Sequence, residues 1–263
     1  MKRISLTRLF QCPALLPWRI APGLAFLLLP FLQPLQAQKT WDFMLAPYLW
    51  FAGIEGDVST VPGLPVAPIE VSPGEALEDT EVSLMLVFVA NRGRHGISAD
   101  FFYSDVQSDE ELAPQLGLVL KSTSKSTVGS LCYQYNLIEG ELQLFAGLRY
   151  WNIDTELSFS GGAGFLDGQQ VRHSEDWIDP VFGVRGRHDF GESRFFVSGI
   201  LAGGGSVFGS DYFYDLSGTV GYRWTPAIAT TFGYRLYDLK YEEDEFFYDV
   251  RQAGWLVALL WNF

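Results

Sequence analysis

Few side chains in the sequence could do covalent chemistry. There are three histidines, His95, His173 and His188, and two cysteines, Cys12 and Cys132. Only His173 has acidic and hydroxyl neighbours, in Val171-Arg-His-Ser-Glu-Asp176. An imidazole base near Ser174, oriented by Glu175 or Asp176, would be the apparatus of a hydrolase. Adjacent residues on an extended chain point to opposite sides, however, so His173 and Ser174 do not share a face. His95 and His188 sit beside short turns, away from any surface loop. The reading is therefore not an enzyme, with no catalytic residue. Two cysteines exclude a disulfide framework and every multi-cysteine zinc pattern. Cys132, between Ser130 and Gln134 on one face, is a small packing residue. No metal and no cofactor is implied.

A second group of residues recurs with a fixed spacing. Gly147-Leu-Arg149, Gly183-Val-Arg185, Gly221-Tyr-Arg223 and Gly233-Tyr-Arg235 each set glycine two positions before arginine. On a strand the two share a face, and the missing side chain leaves room for a guanidinium in a narrow space. With Asp100, Asp179 and Arg187, the candidate polar lining is Asp100, Arg149, Asp179, Arg185, Arg187, Arg223 and Arg235. Two chemistries fit it: a buried ion-pair network that fills the space, or a ring of cations that favours anions in a thin pore. A third group is acidic: Glu75, Glu78, Asp79 and Glu81; Asp109, Glu110 and Glu111; Glu242, Glu243, Asp244 and Glu245. These read as solvated loops. Clustered carboxylates also suit hard cations, although no spacing here matches a dedicated calcium loop.

The elements that position these groups begin after an export segment. Lys2, Arg3, Arg8 and Arg19 are the only charges before Lys39, and an apolar run from Ile20 to Leu32 leads to Gln33-Pro-Leu-Gln-Ala37. A basic start, an apolar centre and a small residue at the cut make a cleaved secretory signal over 1–37. The run is too short, and too broken by Pro22 and Pro30, for a spanning helix of about 20 residues. Gln11 stands where a lipoprotein signal needs a small residue before Cys12. Residues 38–263 form the exported domain. Overall, 18 Lys+Arg face 31 Asp+Glu, a balance of −13. Removing the four basic residues of the signal leaves 14 against 31, or −17. A chain this acidic has no nucleic-acid partner, because phosphate neutralisation needs clustered Lys and Arg. At 48% apolar and 16% aromatic it is no disordered polymer either.

After Ala37 no window keeps a helical period, and period-2 alternation recurs instead. Tyr212, Tyr214, Leu216, Gly218, Val220, Tyr222 and Trp224 share one face; Phe213, Asp215, Ser217, Thr219, Gly221 and Arg223 share the other. Ten such segments are predicted, near 41–56, 80–91, 95–107, 118–136, 141–160, 175–189, 194–207, 211–224, 228–241 and 246–263. Short connections at 91–94, 137–140, 190–193 and 225–227 alternate with connections at 57–79, 108–117, 161–174 and 242–245, most of them longer, and a brief one at 209–210. An even number of strands with short turns at one rim and long loops at the other is the plan of an outer-membrane barrel. In lipid only a closed sheet satisfies every backbone group of a strand-crossing chain. Tyr and Trp along nearly every strand suit the interface girdles.

The chain ends on Trp255, Val257, Leu259, Trp261 and Phe263, one apolar face closed by a terminal Phe. Trp261 and Phe263 resemble the signal read by the barrel assembly machinery, with Ala258 where that pattern usually carries Gly. Further motifs are Trp41 with Pro47-Tyr-Leu-Trp50, Gly53-Ile-Glu-Gly56, Gly147-Leu-Arg-Tyr-Trp151, Trp177-Ile-Asp-Pro-Val-Phe-Gly-Val-Arg-Gly-Arg187, Gly233-Tyr-Arg-Leu-Tyr-Asp-Leu239 and Tyr248-Asp-Val-Arg-Gln252. Across the whole exported chain these resemble a family of small proteobacterial outer-membrane β-barrels, the Trp-acid-Pro strand being the most specific piece. The resemblance implies about ten strands, a periplasmic N-terminus and no catalytic activity.

The expected fold is thus all-β, a closed antiparallel transmembrane β-barrel of about ten strands, in the outer membrane after export through the inner membrane. Its interior is expected to be polar and arginine-bearing. Its partners would be outer-membrane lipids and lipopolysaccharide, the barrel assembly machinery and a possible small solute. The expected function is a structural barrel or a narrow passive small-solute channel. The alternative is a surface binding barrel acting through its acidic loops, with Val61-Pro-Gly-Leu-Pro-Val-Ala-Pro-Ile69 as the apolar tip.

Overall fold

The computed structural model describes residues 40–113, 117–161, 167–205 and 209–263. The expected signal over 1–37 lies outside them. In chain order the elements are β1 (Asp42–Ser59), β2 (Ala67–Val71), α1 (Pro73–Glu78), β3 (Thr80–Arg92), β4 (His95–Ala113), β5 (Leu118–Ile138) and β6 (Leu142–Ser160), then β7 (Gln170–Asp189), β8 (Phe195–Gly204), β9 (Tyr212–Arg223), β10 (Ile228–Glu243) and β11 (Phe246–Asn262). Each long strand pairs antiparallel with its chain neighbours, and β11 returns to β1 from Met44↔Asn262 to Ser59↔Phe247. The sheet is therefore a closed ring of ten long strands, with β2 as an added short one. Phe43 and Phe263 exchange backbone hydrogen bonds of 3.0 Å, so both ends of the ring meet at one rim. The short turns lie at that rim, where Gly93 and Gly191 take φ of 63° and 58°, a region closed to most side chains.

Alternation separates the two faces sharply. Leu131 is 63% exposed and Cys132 5%; Leu148 is 58% exposed and Arg149 6%; Phe182 is 62% exposed and Val181 0%. The exposed member of each pair faces outward. On β9 the outer face runs from Tyr212 and Tyr214 through Leu216 and Val220 to Tyr222 and Trp224 at the short-turn rim, beside Trp261 and Phe263 on β11. An apolar coat of this extent belongs in hydrocarbon, since a soluble surface tolerates only scattered apolar groups. A closed ring with such a belt and aromatic girdles is a transmembrane barrel of the Gram-negative outer membrane. The short turns then face the periplasm.

Two expectations need correction. The connections at 108–117, 161–174 and 242–245 are shorter than the sequence suggests, because β4 reaches Ala113, β7 starts at Gln170, and β10 meets β11 through Asp244 and Glu245. Asp109 and Glu111 therefore sit on a strand, Asp109 opposite Lys121. The strands climb past the lipid zone with polar residues on both faces, as where Asp105–Ser108 face Ser122–Lys125, so no alternation marks them. The aromatics are also not all girdle: Trp50, Trp151 and Trp177 face inward, as do Tyr237, Tyr241, Phe246 and Tyr248.

One joint of the ring is built differently. β1 pairs with β3 only from Asp42↔Asn91 to Pro47↔Leu86. Beyond that, β3 pairs with β4 alone, while β1 takes up β2 from Ile54↔Val71 to Val58↔Ala67. Next to β2 lies α1, started by Ser72, whose hydroxyl accepts from the Glu75 amide while the Glu75 carboxylate accepts from the Ser72 amide. Those bonds hold the Glu75 carboxyl below its usual pKa. A Cβ at Gly53 would stand 2.8 Å from the Val71 carbonyl oxygen and 3.0 Å from Pro73 Cδ, so this segment seats directly against β1.

The face assignment has a direct test. Leu216 lies between Leu201 and Leu236 on the outer face. Leu216→Arg is expected to cost about 2–4 kcal/mol near the bilayer midplane. It should lower the yield of the compact, heat-modifiable band after folding into lipid vesicles; an unchanged yield would place Leu216 elsewhere.

Candidate functional site

The lumen is not uniform along its length. Its periplasmic half holds a cavity of about 820 Å³, which runs from Gly140, Asp189, Arg223 and Phe263 at the rim up to Arg149, Asp215 and Arg235. Its extracellular half is a packed core. The two are divided by a tier of charged side chains.

The dividing tier is one connected brace. Arg235 grips Asp215 with two bonds, Nε to Oδ1 at 2.9 Å and Nη2 to Oδ2 at 2.7 Å. Arg149 reaches the same Oδ2 at 3.3 Å and donates through Nε to Ser130 Oγ at 2.8 Å. On the other side Arg235 Nη2 lies 3.9 Å from Asp100 Oδ2, and the Tyr48 hydroxyl donates to Asp100 Oδ1 at 3.0 Å. The brace thus runs Ser130, Arg149, Asp215, Arg235, Asp100, Tyr48 and ties together β5, β6, β9, β10, β4 and β1. Two arginines against two aspartates leave it electrically balanced, as buried charge must be. The Arg149 guanidinium also lies 5.0 Å from the Phe213 ring centre and that of Arg235 4.9 Å from Trp50. These contacts join the charged tier to the aromatic one above it.

Above the brace the lumen is filled by rings. Trp177 and Tyr241 stack with centroids 3.9 Å apart and planes at 7°, and Trp151 follows Trp177 at 5.8 Å. Tyr237 and Phe213 close on Trp151 at 5.5 and 6.1 Å. Asp179 is fully buried beneath them, accepting from Trp177 Nε1 at 3.1 Å and from the Ser210 amide and hydroxyl at 2.8 and 2.6 Å. It clamps the β8–β9 connection into the barrel mouth. At the top, the single Tyr241 hydroxyl hydrogen faces both Glu175, at 3.1 Å, and Glu243, at 2.5 Å.

Below the brace the arginines rest on rings that glycines admit. A Cβ at Gly183 would lie 2.3 Å from Phe145 Cζ, and one at Gly221 would lie 2.1 Å from Phe196 Cζ. The space left by glycine is therefore filled by phenylalanine, not by guanidinium as the spacing suggests. Arg185 then lies over Phe145 at 5.7 Å and Arg187 over Phe196 at 3.7 Å. Asp189 accepts from Arg187 at 3.1 Å and from Arg223 at 2.7 Å. Arg185 has no carboxylate within 4 Å among the described residues; its one polar contact is Gln143 Oε1 at 3.5 Å.

All seven residues read from the sequence as polar lining face the interior, yet in different places. Asp100, Arg149 and Arg235 form the brace, Arg185, Arg187 and Arg223 line the cavity, and Asp179 lies in the core. The interior is not simply polar, a further correction to the sequence reading. Asp215, Tyr48 and Trp151 are not among the seven, although Asp215 stands on the polar face of the clearest alternating segment. Trp261 and Phe263 lie outermost on β11, half-exposed or more. His173 belongs to β7 rather than to a loop, with Nε2 3.3 Å from Glu175 Oε2 and its ring on Phe246, while Ser174 bonds Asn152 on the outer face. No group of three His, Cys, Asp or Glu side chains converges as a metal site among the described residues.

No protein-family model and no curated protein sequence matches the chain. Among solved structures it is similar to Ail, the attachment invasion locus protein of Yersinia pestis, at 11% identity over 85% of this chain and 98% of that one, TM-score 0.41. It is similar to the translocator domain of autotransporter NalP from Neisseria meningitidis at 9% identity over 92% and 95%, TM-score 0.46. The toluene transporter TodX of Pseudomonas putida is similar at 13% identity over 84% and 88%, TM-score 0.33. Likenesses this distant say nothing of what the chain does, and the barrel assignment rests on the closed ring itself.

The brace predicts a specific loss. Asp215→Asn keeps the shape but leaves two buried guanidiniums without their shared anion. It is expected to destabilise the barrel by about 3–5 kcal/mol, read from the urea midpoint of reversible folding into vesicles. A midpoint unchanged from wild type would mean that the brace carries no stability.

Proposed function

We propose that this chain is a passive outer-membrane barrel whose lumen is closed to solutes, a structural barrel rather than an open channel. The observation that carries this reading is the double block across the lumen. A balanced ion-pair brace spans it, and the buried stack of Trp151, Trp177 and Tyr241 fills it on the extracellular side. A solute entering from the periplasm meets first the charged brace, then the stacked rings. A ten-strand ring supports this, since barrels of about eight strands are just filled by side chains and open aqueous channels belong to much wider rings. The barrel assembly machinery, acting on the exposed apolar face that ends at Trp261 and Phe263, is the partner this reading requires.

The refolded chain 38–263 is expected to insert into planar bilayers without steady openings. Simultaneous Trp151→Ala and Tyr241→Ala should empty part of the core and produce them. Steady conductance in the wild-type chain would overturn the closed-barrel reading.

A second reading has one observation in its favour. The first extracellular connection is ordered, with β2 and α1 packed on β1 and Val61 buried at 2% exposure, yet Leu64, Val66 and Leu77 are each about half exposed or more. Apolar tips on an ordered base are what a surface binding barrel needs. Gram-negative cells displaying the barrel would then adhere to immobilised host-matrix or envelope components, and Leu64→Asp with Leu77→Asp would abolish the adhesion. Equal adhesion with and without both substitutions would exclude this loop.

A further inference from the structure

The periplasmic cavity has two unlike walls. The ring order places β7 five strands from β1 in either direction, so the two face each other across the lumen. On the β1 side, β11, β1 and β3 present Leu256, Leu260, Met44, Ala46, Val87 and Val89 to the cavity. On the β7 side stands Arg185, flanked in register by Gln143 and Ile200. A lumen that held only water would gain nothing from an aliphatic wall, because apolar surface turned to water is surface whose burial is still to be gained. Nor would it leave one arginine of the described lumen without a carboxylate within 4 Å. Every other lumen arginine has its carboxylate: Arg149 and Arg235 share Asp215, Arg187 and Arg223 share Asp189. Arg185 offers five donors in a rigid fork, of which one makes a single contact at 3.5 Å. The volume of about 820 Å³ lies in the range of small-molecule sites, roughly 300–1,000 Å³.

We propose that this cavity is a binding site, entered from the periplasm, for a small amphiphilic anion. Arg185 takes its carboxylate or phosphate head and the β11–β1–β3 wall takes its aliphatic body. The site lies wholly below the brace, so it goes beyond the closed-barrel reading and does not depend on whether the lumen conducts. The pairing is chemically complementary at both ends. A guanidinium binds carboxylate and phosphate alike through parallel N–H bonds, while Leu256, Leu260, Met44, Ala46, Val87 and Val89 present only aliphatic side chains, with the polar Asp42, Asn91 and Asn262 of the same strands towards the rim. Neither end alone identifies the ligand, since an inorganic anion would leave the aliphatic wall wet and a neutral alkane would leave Arg185 unmatched.

The test uses chain 38–263 refolded in lipid nanodiscs, with empty nanodiscs as the partition blank and heat-modifiable migration as the fold control. Octanoate, octyl phosphate, 1-octanol and inorganic phosphate are titrated calorimetrically. Saturable binding of octanoate or octyl phosphate is expected, weakened about tenfold or more in Arg185→Gln. The tighter of the two then tells whether the head is carboxylate or phosphate. 1-Octanol should bind alike to both proteins, and inorganic phosphate at least about tenfold more weakly than octyl phosphate, for lack of the aliphatic contact. Leu260→Asn is the second variant, expected to weaken octanoate while leaving inorganic phosphate unchanged. Three results would each overturn the proposal: no saturable binding to folded wild type, undiminished octanoate binding in Arg185→Gln, or inorganic phosphate as tight as octyl phosphate.

Discussion

A peptide group in hydrocarbon has no water to turn to, so a chain that crosses a membrane as strands must bring its last strand back to its first. Here that return is the long pairing of β11 with β1. Everything else follows from the ring it makes. Period-2 geometry gives each strand one lipid face and one lumen face. Ten strands then set a lumen too wide for small side chains to fill and too narrow for a generous channel. The sequence meets that intermediate width with large groups: indoles and phenols in one half, arginines seated on phenylalanines in the other. The glycines opposite them are the means, since Gly183 and Gly221 leave the space that Phe145 and Phe196 occupy.

The charged brace and the aromatic core solve a shared problem in different ways. A buried arginine is tolerable only with its anion, and the brace supplies one carboxylate to two guanidiniums while Asp100 and Tyr48 steady the far end. The core needs no charge balance and gains from ring area and stacking instead. Asp179 is the exception within it. It is an acid in an aromatic surround, made acceptable by three donors from Trp177 and Ser210. The Trp-acid-Pro segment that stands out in the sequence is therefore where a loop is anchored into the barrel mouth.

How much of this was legible in the sequence depended on contrast between faces. Where a strand sets apolar against polar, as in Tyr212–Trp224, the orientation of every residue could be read directly, Arg223 and Leu216 included. Where both faces are apolar the alternation vanishes, and Trp255–Trp261 hid the inward Leu256, Ala258 and Leu260 that make the aliphatic wall. Where both are polar it vanishes too, so the upper ends of β4 and β7 read as loops. Tyr and Trp read as girdle along nearly every strand, and Trp151 and Trp177 do not stand apart from the rest, because ring chemistry suits a membrane interface and a packed lumen equally. Only the neighbours across the ring distinguish those cases. Pairings across the lumen, such as Arg149 with Asp215 from strands three apart in the chain, leave no local trace at all.

The joint between β1 and β3 gives the wall an uneven compliance. The seam that closes the ring runs from Met44 to Ser59 along β1, whereas the seam between β1 and its chain neighbour β3 stops at Pro47. Local opening costs least where the fewest ladder bonds are shared. The ring thus parts most readily not at the meeting of its first and last strands but beside it, along a line spanned by the short β2 and a one-turn helix. Among the described strands, this is the seam with the shortest direct pairing between two long neighbours of the ring.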